Sequence, residues 1–249
     1  MPGKQKAKYI QSLGQKKHRD EERLFIAEGP KLVAELLAGV PDRVLELYAV
    51  QEWIDVNPQS RQVPLVEAVS GEELGRLSQL KTPNQVLAVV KQFEEKPGPE
   101  PGGRLTLVLD TIQDPGNLGT IIRIADWFGI GQIVCSPECA DLYNPKVVQA
   151  TMGSLLRVQV YYRDLGQWLP ERGSVRLCAA ALEGKDVSRM SPMREGLILI
   201  GNESKGIHPD LLAMANERLT IPRLGGAESL NAAVATGILL FQLTGGGRQ

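Results

Sequence analysis

Runs of apolar and polar positions divide the chain into two stretches of different character. In the first, Pro30 follows Gly29 and opens a helical spacing through Leu32, Val33, Leu36 and Leu37. Proline is tolerated there because the first helical N–H has no partner inside the helix. Val44–Val50 and Val86–Val90 predict strands, and Ser70 with Glu73 predicts a capping box ahead of a short helix ending near Leu77. In the second stretch Leu105–Leu109 reads as one apolar run, the mark of a strand buried on both faces of a parallel sheet. Further strands are expected at Ile133–Cys135, Val158–Tyr162, Val175–Ala181, Leu197–Ile200 and Arg218–Ile221. An amphipathic helix is expected from about Asn117 to Phe128, stopped by Gly129, and a long apolar one from about Ser229 to Leu243. Such alternation gives an α/β fold with a parallel sheet covered on both faces.

Between the stretches, Glu94–Gly103 (EEKPGPEPGG) holds three prolines and three glycines and no apolar residue, which suits a linker and not an element interior. The expected organisation is residues 1–93 as a small α/β unit, 94–103 as the linker and 104–249 as the larger unit. The 249 residues carry 28 Lys+Arg against 29 Asp+Glu, and 43% are hydrophobic, which excludes disordered and fibrous classes. No run approaches the length of a membrane span, no apolar stretch follows the basic N-terminus as in a secretory signal, and the expected location is cytoplasmic. Cys135, Cys139 and Cys178 form no disulfide framework, and with two histidines no metal site is expected. Charge is unevenly spread: Lys4, Lys6, Lys8, Lys16, Lys17 and Arg19 precede any acidic residue. That run suits either a phosphate-contacting footprint or a solvated terminus.

Three loops, each after a strand and before a helix, carry the chemistry: Asp110–Arg123 (DTIQDPGNLGTIIR), Ile200–Pro209 (IGNESKGIHP) and Ile221–Asn231 (IPRLGGAESLN). In open parallel sheets, ligands bind where such loops gather at the carboxyl ends of strands. None of the three matches a dinucleotide fingerprint or a phosphate-binding P-loop. Taken together, they resemble the motifs of the SpoU/TrmH family of RNA ribose 2′-O-methyltransferases. The resemblance falls on Asn117 and Arg123 in the first loop and on Gly201, Glu203 and Gly206 in the second. In the third it falls on Ile221, Pro222, Gly225, Ser229, Leu230 and Asn231. Leu24–Gly29 (LFIAEG) is similar to the N-terminal substrate-binding domain of many members, a small fold like a ribosomal RNA-binding protein. Arg223, where an apolar residue is usual, and Ala232–Ala233, where Val-Ser is usual, depart from the pattern.

The resemblance implies a catalytic domain with a deep trefoil knot, a homodimer whose active site draws on both subunits, and S-adenosylmethionine as cofactor. It implies Arg123, Asn117, Glu203, Ser229 and Asn231 as catalytic residues and Gly201, Ile221 and Leu230 as cofactor contacts. The implied substrate is structured RNA, ribosomal before transfer RNA. Arg123 is either the group that takes the hydroxyl proton or one that orients a phosphate and stabilises developing alkoxide charge. Guanidinium chemistry favours the second role. Plainer roles stand beside these: an Arg123–Asp126 pair along a helix face, Asn117, Ser229 and Asn231 as helix caps, Glu203 as an exposed loop carboxylate. Trp127, Tyr143 and Trp168 read as core or rim, Cys135 and Cys139 as small buried hydrophobes, and His208 and Lys205 as loop. The competing function classes are a non-catalytic RNA-binding or ribosome-assembly protein on the same scaffold, and a nucleotide-binding oxidoreductase, which lacks its glycine fingerprint here.

Overall fold

A computed structural model describes residues 3–80, 82, 84–94 and 98–246. Residues 95–97 of the expected linker, Met1 and Pro2 of the basic run, and 247–249 lie outside the described residues. The elements of the first half are α1 (Lys4–Ser12), α2 (Lys16–Glu22), β1 (Leu24–Glu28), α3 (Pro30–Gly39), β2 (Val44–Ala49), α4 (Gln51–Val56), β3 (Leu65–Ala68), α5 (Gly71–Leu77) and β4 (Val86–Lys91). They continue with β5 (Leu105–Leu109), α6 (Pro115–Trp127), β6 (Gln132–Cys135), α7 (Pro145–Thr151), β7 (Gln159–Tyr162) and α8 (Leu165–Trp168). The last are β8 (Leu177–Asp186), β9 (Gly196–Ile200), α9 (Pro209–Ala213), β10 (Glu217–Thr220) and α10 (Ala232–Leu243).

Two compact units result, residues 1–94 with 141–156, and 95–140 with 157–249. The first is built on a four-stranded sheet in the order β1-β4-β2-β3, antiparallel except for the parallel β2–β3 pair. Strand β1 is buried throughout and β3 at the edge is exposed. The Ser70–Glu73 capping box forms as expected. Beneath it, Ile10, Leu13, Ile26, Leu74, Leu77, Leu87 and Val89 share one core. Segment 141–156, assigned from the sequence to the larger unit, belongs with this one. Tyr143 packs on Phe25, ring centroids 4.9 Å apart, and its hydroxyl accepts the Phe93 N–H at 2.8 Å. Burial pushes its phenol up to about 12. Asp141 binds Arg19 at 2.6 Å. The chain crosses between the units at 94/95, 140/141 and 156/157, so the proline-rich segment is one of three covalent connections.

Arg19 stands apart from the rest of the basic run. Only 1% of it is exposed, and its guanidinium donates to the carbonyls of Leu13 and Gly14 at 3.0 and 2.7 Å. Lys6 pairs with Glu46, Lys16 with Asp20 and Lys17 with Glu21. Within α2 the pairs follow from helical spacing, which sets Lys16 and Lys17 against acids at i+4.

The second unit carries a six-stranded sheet, every pair parallel, in the order β10-β8-β9-β5-β6-β7. Its apolar strands fill the core with Val108, Val134, Leu177, Leu197 and Leu199, and Trp168 packs there with Leu165 and Leu169. Strand β8 is longer than Val175–Ala181 predicted, because it leaves register after Ala179 and rejoins β10 at Lys185. Helix α6 begins at Pro115, two residues earlier than expected, since Asp114 and not Asn117 caps it. Helix α10 begins at Ala232, later than expected, because Asn231 is its cap and accepts the Ala233 and Val234 N–H groups. Among the described residues no helix is long and apolar enough to cross a membrane, and no group of three or more His, Cys, Asp or Glu could hold a metal ion.

Candidate active site

The strand order places β5, β9, β8 and β10 side by side, so the loops leaving their carboxyl ends rise from the same end of the sheet. Three loop residues join into one chain of hydrogen bonds. Asn231 donates from Nδ2 to Asn117 Oδ1 at 2.8 Å, and Asn117 donates from Nδ2 to Glu203 Oε1. Amide orientation is fixed from the ends. Asn231 Oδ1 faces the N–H groups opening α10, which leaves Nδ2 for Asn117, whose own Nδ2 must then meet the carboxylate. The structure therefore brings together Asn117, Glu203 and Asn231, 86 and 114 residues apart along the chain. The plainer reading of Glu203 as an exposed loop carboxylate is corrected: it is partly buried and held by Asn117.

Arg123 stands apart from this chain. It lies six residues beyond Asn117 on α6, about 120° away around a helix of 3.6 residues per turn. It is exposed and has no hydrogen bond or ion pair among the described residues. The expected alternative, a pair with Asp126, does not form, because Asp126 accepts from Arg157 Nε at 2.8 Å. Arg123 instead lines a shallow surface groove with Thr120, Ile124 and Trp127. Trp127, expected in the core or at its rim, is 84% exposed. Helix α10 packs against α6 with Gly237 facing Ile124, and leaves Val234, Ile238 and Phe241 exposed along one stripe. Ser229 is exposed just before α10, without a hydrogen bond of its side chain among the described residues.

Gly201 and Gly206 each meet a requirement of the loop's own backbone. A Cβ on Gly201 would lie 2.4 Å from the Gly206 carbonyl carbon and 2.5 Å from the Ile207 nitrogen, so the loop closes on itself there. Gly206 has φ +69°, the left-handed region, and open space around it. The third loop is open: 222–231 are exposed, and no main-chain hydrogen bond joins 222–230 to other main chain among the described residues. Half-buried Ile221 precedes that segment and Leu230 ends it, 44% exposed. Apolar side chains beside unpaired amides suit a purine-bearing ligand such as S-adenosylmethionine.

Two residues not singled out from sequence tie the first loop to the second. Asp110, buried at the end of β5, accepts the His208 N–H at 2.7 Å, and Asn202 Nδ2 donates to the Thr111 carbonyl at 3.0 Å. A carboxylate directly after an apolar strand was the available signal for the first. The second sits inside the motif, next to Glu203. Cys135 and Cys139 are buried, as the sequence suggests.

Comparison with known proteins identifies the family. Residues 104–241 match the SpoU rRNA Methylase family, and residues 4–88 the MRM3-like substrate binding domain. The chain is 34% identical to the 23S rRNA (guanosine(2553)-2′-O)-methyltransferase RlmP of Bacillus subtilis, over 97% of this chain and 96% of that one. It superposes on the AdoMet-bound rRNA methyltransferase of Sinorhizobium meliloti with TM-score 0.82 and 31% identity, covering 98% of this chain and 95% of the other. It also superposes on the SpoU methyltransferase AviRb of Streptomyces viridochromogenes, in complex with AdoMet, with TM-score 0.82 and 26% identity over 96% and 97% of the two chains. With the family pattern spanning more than half its length and a relative 34% identical along nearly all of it, the chain belongs to the SpoU rRNA methylase family.

Proposed function

We propose that the protein transfers a methyl group from S-adenosylmethionine to a ribose 2′-hydroxyl of ribosomal RNA. The observation that carries this reading is the Asn231–Asn117–Glu203 chain, which joins the three loops at the sheet's carboxyl end. A non-catalytic RNA-binding protein has no need of it. Gly201, Ile221 and Leu230 hold the cofactor in this reading, with the exposed amides of 222–230 offered to its adenine and ribose. The cofactor, when bound, supplies a methyl group already activated on a sulfonium.

The chain's own residues then have two tasks, to place the hydroxyl and to manage its proton. Asn117 and Glu203 orient the loops around the reacting oxygen, while Ser229 and Asn231 present the N-terminal end of α10 to an RNA phosphate. Arg123, cationic and unpaired among the described residues, orients a phosphate and stabilises the developing alkoxide. Its azimuth on α6, away from Asn117, fits service to a second subunit's site. Exposed Trp127 and half-buried Ile124 on α6 and exposed Val234, Ile238 and Phe241 on α10 are apolar, and the two helices pack together, which supports a homodimer through these helices. The reading includes the deep trefoil knot in the second unit, supported by the superposition on SpoU structures. It includes residues 1–93 as the RNA substrate-binding domain, supported by the family match there. It also includes action in the cytoplasm, supported by the Bacillus subtilis relative.

Arg123→Ala tests it. Methyl transfer to ribosomal RNA should fall by about 10²–10³-fold, the usual loss on removing one charge-stabilising donor. The Kd for S-adenosylmethionine, measured calorimetrically, should stay within about threefold. Full activity in the variant contradicts the role of Arg123, and a wild-type protein that binds no S-adenosylmethionine contradicts the whole reading.

A further inference from the structure

Beneath the Asn231–Asn117–Glu203 chain lies a second network that the proposed chemistry does not use. It centres on Thr111, a non-glycine residue at φ +58°. A β-branched residue in the left-handed region is held there only by its surroundings. Each of its polar groups is engaged. The N–H donates to Ser136 Oγ at 3.1 Å, Oγ1 donates to Asp110 Oδ1 at 2.8 Å, and the carbonyl accepts from Asn202 Nδ2 at 3.0 Å. Asp110 spends its other oxygen on the His208 N–H at 2.7 Å, at the far end of the second loop.

Asn202 is equally saturated. Its Oδ1 accepts the Ser204 and Lys205 N–H groups at 2.9 and 3.1 Å, which fixes the turn carrying Glu203. Its main chain exchanges two hydrogen bonds with Gly206, 3.1 and 2.8 Å, closing the loop. The Nδ2 bond to Thr111 is the one that leaves the loop. The second loop is thus a rigid turn pinned at both ends to the first, by Asn202 at its start and by Asp110 at its close. Glu203, between the pins, meets Asn117 of the helix that follows Thr111.

We infer that Asn202 is a positioning residue for methyl transfer: its bond to the Thr111 carbonyl sets the second loop against the first so that Glu203 reaches Asn117. The inference rests on the proposed function for its catalytic consequence and on geometry alone for the latch. Asn202 touches neither cofactor nor RNA in this account, and acts through Glu203.

The test uses Asn202→Asp and Asn202→Ser in the full-length chain. Both retain a side-chain oxygen for the Ser204 and Lys205 amides, as Asx and Ser turns do, and both lose the donor to Thr111. In each, kcat should fall roughly 10- to 100-fold, the usual consequence of misplacing a reacting constellation by about 1 Å. KM for RNA and Kd for S-adenosylmethionine should stay within about threefold. In 15N-labelled protein the hydrogen bond from the Asn117 side-chain amide to Glu203 should slow its solvent exchange in the wild type, and the variants should lose that protection. An unchanged kcat overturns the inference, as does a loss of cofactor affinity that accounts for the whole fall in kcat/KM, and so does a failure of both variants to fold. If the wild type transfers no methyl group, the proposed function fails, and the amide readout decides the latch: retained protection in the variants contradicts it and lost protection supports it.

Discussion

The two units put their charged and polar side chains to opposite uses. In the first, the conspicuous charges are structural: Arg19 is buried on Asp141 and two carbonyls, and Glu28 is buried on Ser78 and Gln79. In the second, the charges are modest and the amides matter, with Asn117, Asn202 and Asn231 linking loops that apolar strands deliver to one end of a parallel sheet. A basic run draws the eye in a sequence, yet Lys6, Lys16, Lys17 and Arg19 within it are paired with the unit's own carboxylates. The lesson is that polar residues placed directly after buried strands mark where loops join, while the basic run marks ion pairs within its own unit.

Arg19→Ala would break that comparison most severely. It leaves Asp141 without its ion partner and three donors missing from the core of the first unit, at a cost on the order of 3–5 kcal/mol. A denaturant titration should read this as a large fall in midpoint, whereas Lys17→Ala, exposed and 3.9 Å from Glu21, should change stability by less than about 0.5 kcal/mol. Equal effects would mean that the basic run is a surface after all.

Asn231 sharpens the contrast in the other unit. Asn231→Ala loses the α10 cap, about 1 kcal/mol, and the bond to Asn117 together. Asn231→Ser keeps a capping oxygen but carries no amide to reach Asn117. The serine variant should therefore melt close to the wild type while its methyl-transfer rate falls about tenfold or more. If melting temperature and rate fall in proportion, the cap is the residue's only role.

The smallest expected effect concerns Glu28. Burial holds its carboxyl above the ordinary glutamate range, opposed by hydrogen bonds from Ser78 and Gln79. A folded pKa raised above the unfolded one favours the protonated folded state. That stabilisation is complete below the ordinary value of 4.5 and is lost as pH rises through the raised folded value. Glu28→Gln removes this titration, so the variant's stability relative to the wild type should increase as pH rises across that window. A relative stability flat with pH contradicts it.

Much of the fold was legible because buried parallel strands announce themselves. Leu105–Leu109 is a strand over the predicted residues, and the other strands of the second sheet lie where apolar runs placed them, within a few residues. Strands β1 and β3 were not predicted, β1 because a short run without alternation does not separate strand from helix, β3 because it sits exposed at an edge. The place of 141–156 was illegible, since it depends on Arg19 meeting Asp141 across 122 residues. In the site, the motif residues Asn117, Glu203 and Asn231 were legible through family resemblance, but their mutual bonding was not, because strand order decides which loops meet. Cap positions misled by two or three residues: Asp114 and Asn231 are both good capping residues, and only the geometry says which polar side chain turns back to the helix.

The most direct test of the account is ribose mapping of ribosomal RNA after incubation with the purified protein and S-adenosylmethionine. The account predicts an alkali-resistant linkage, the mark of a 2′-O-methyl group, at one defined nucleotide, and its loss with Arg123→Ala. Methylation on a base, or cofactor binding without any transfer to ribosomal RNA, would contradict it.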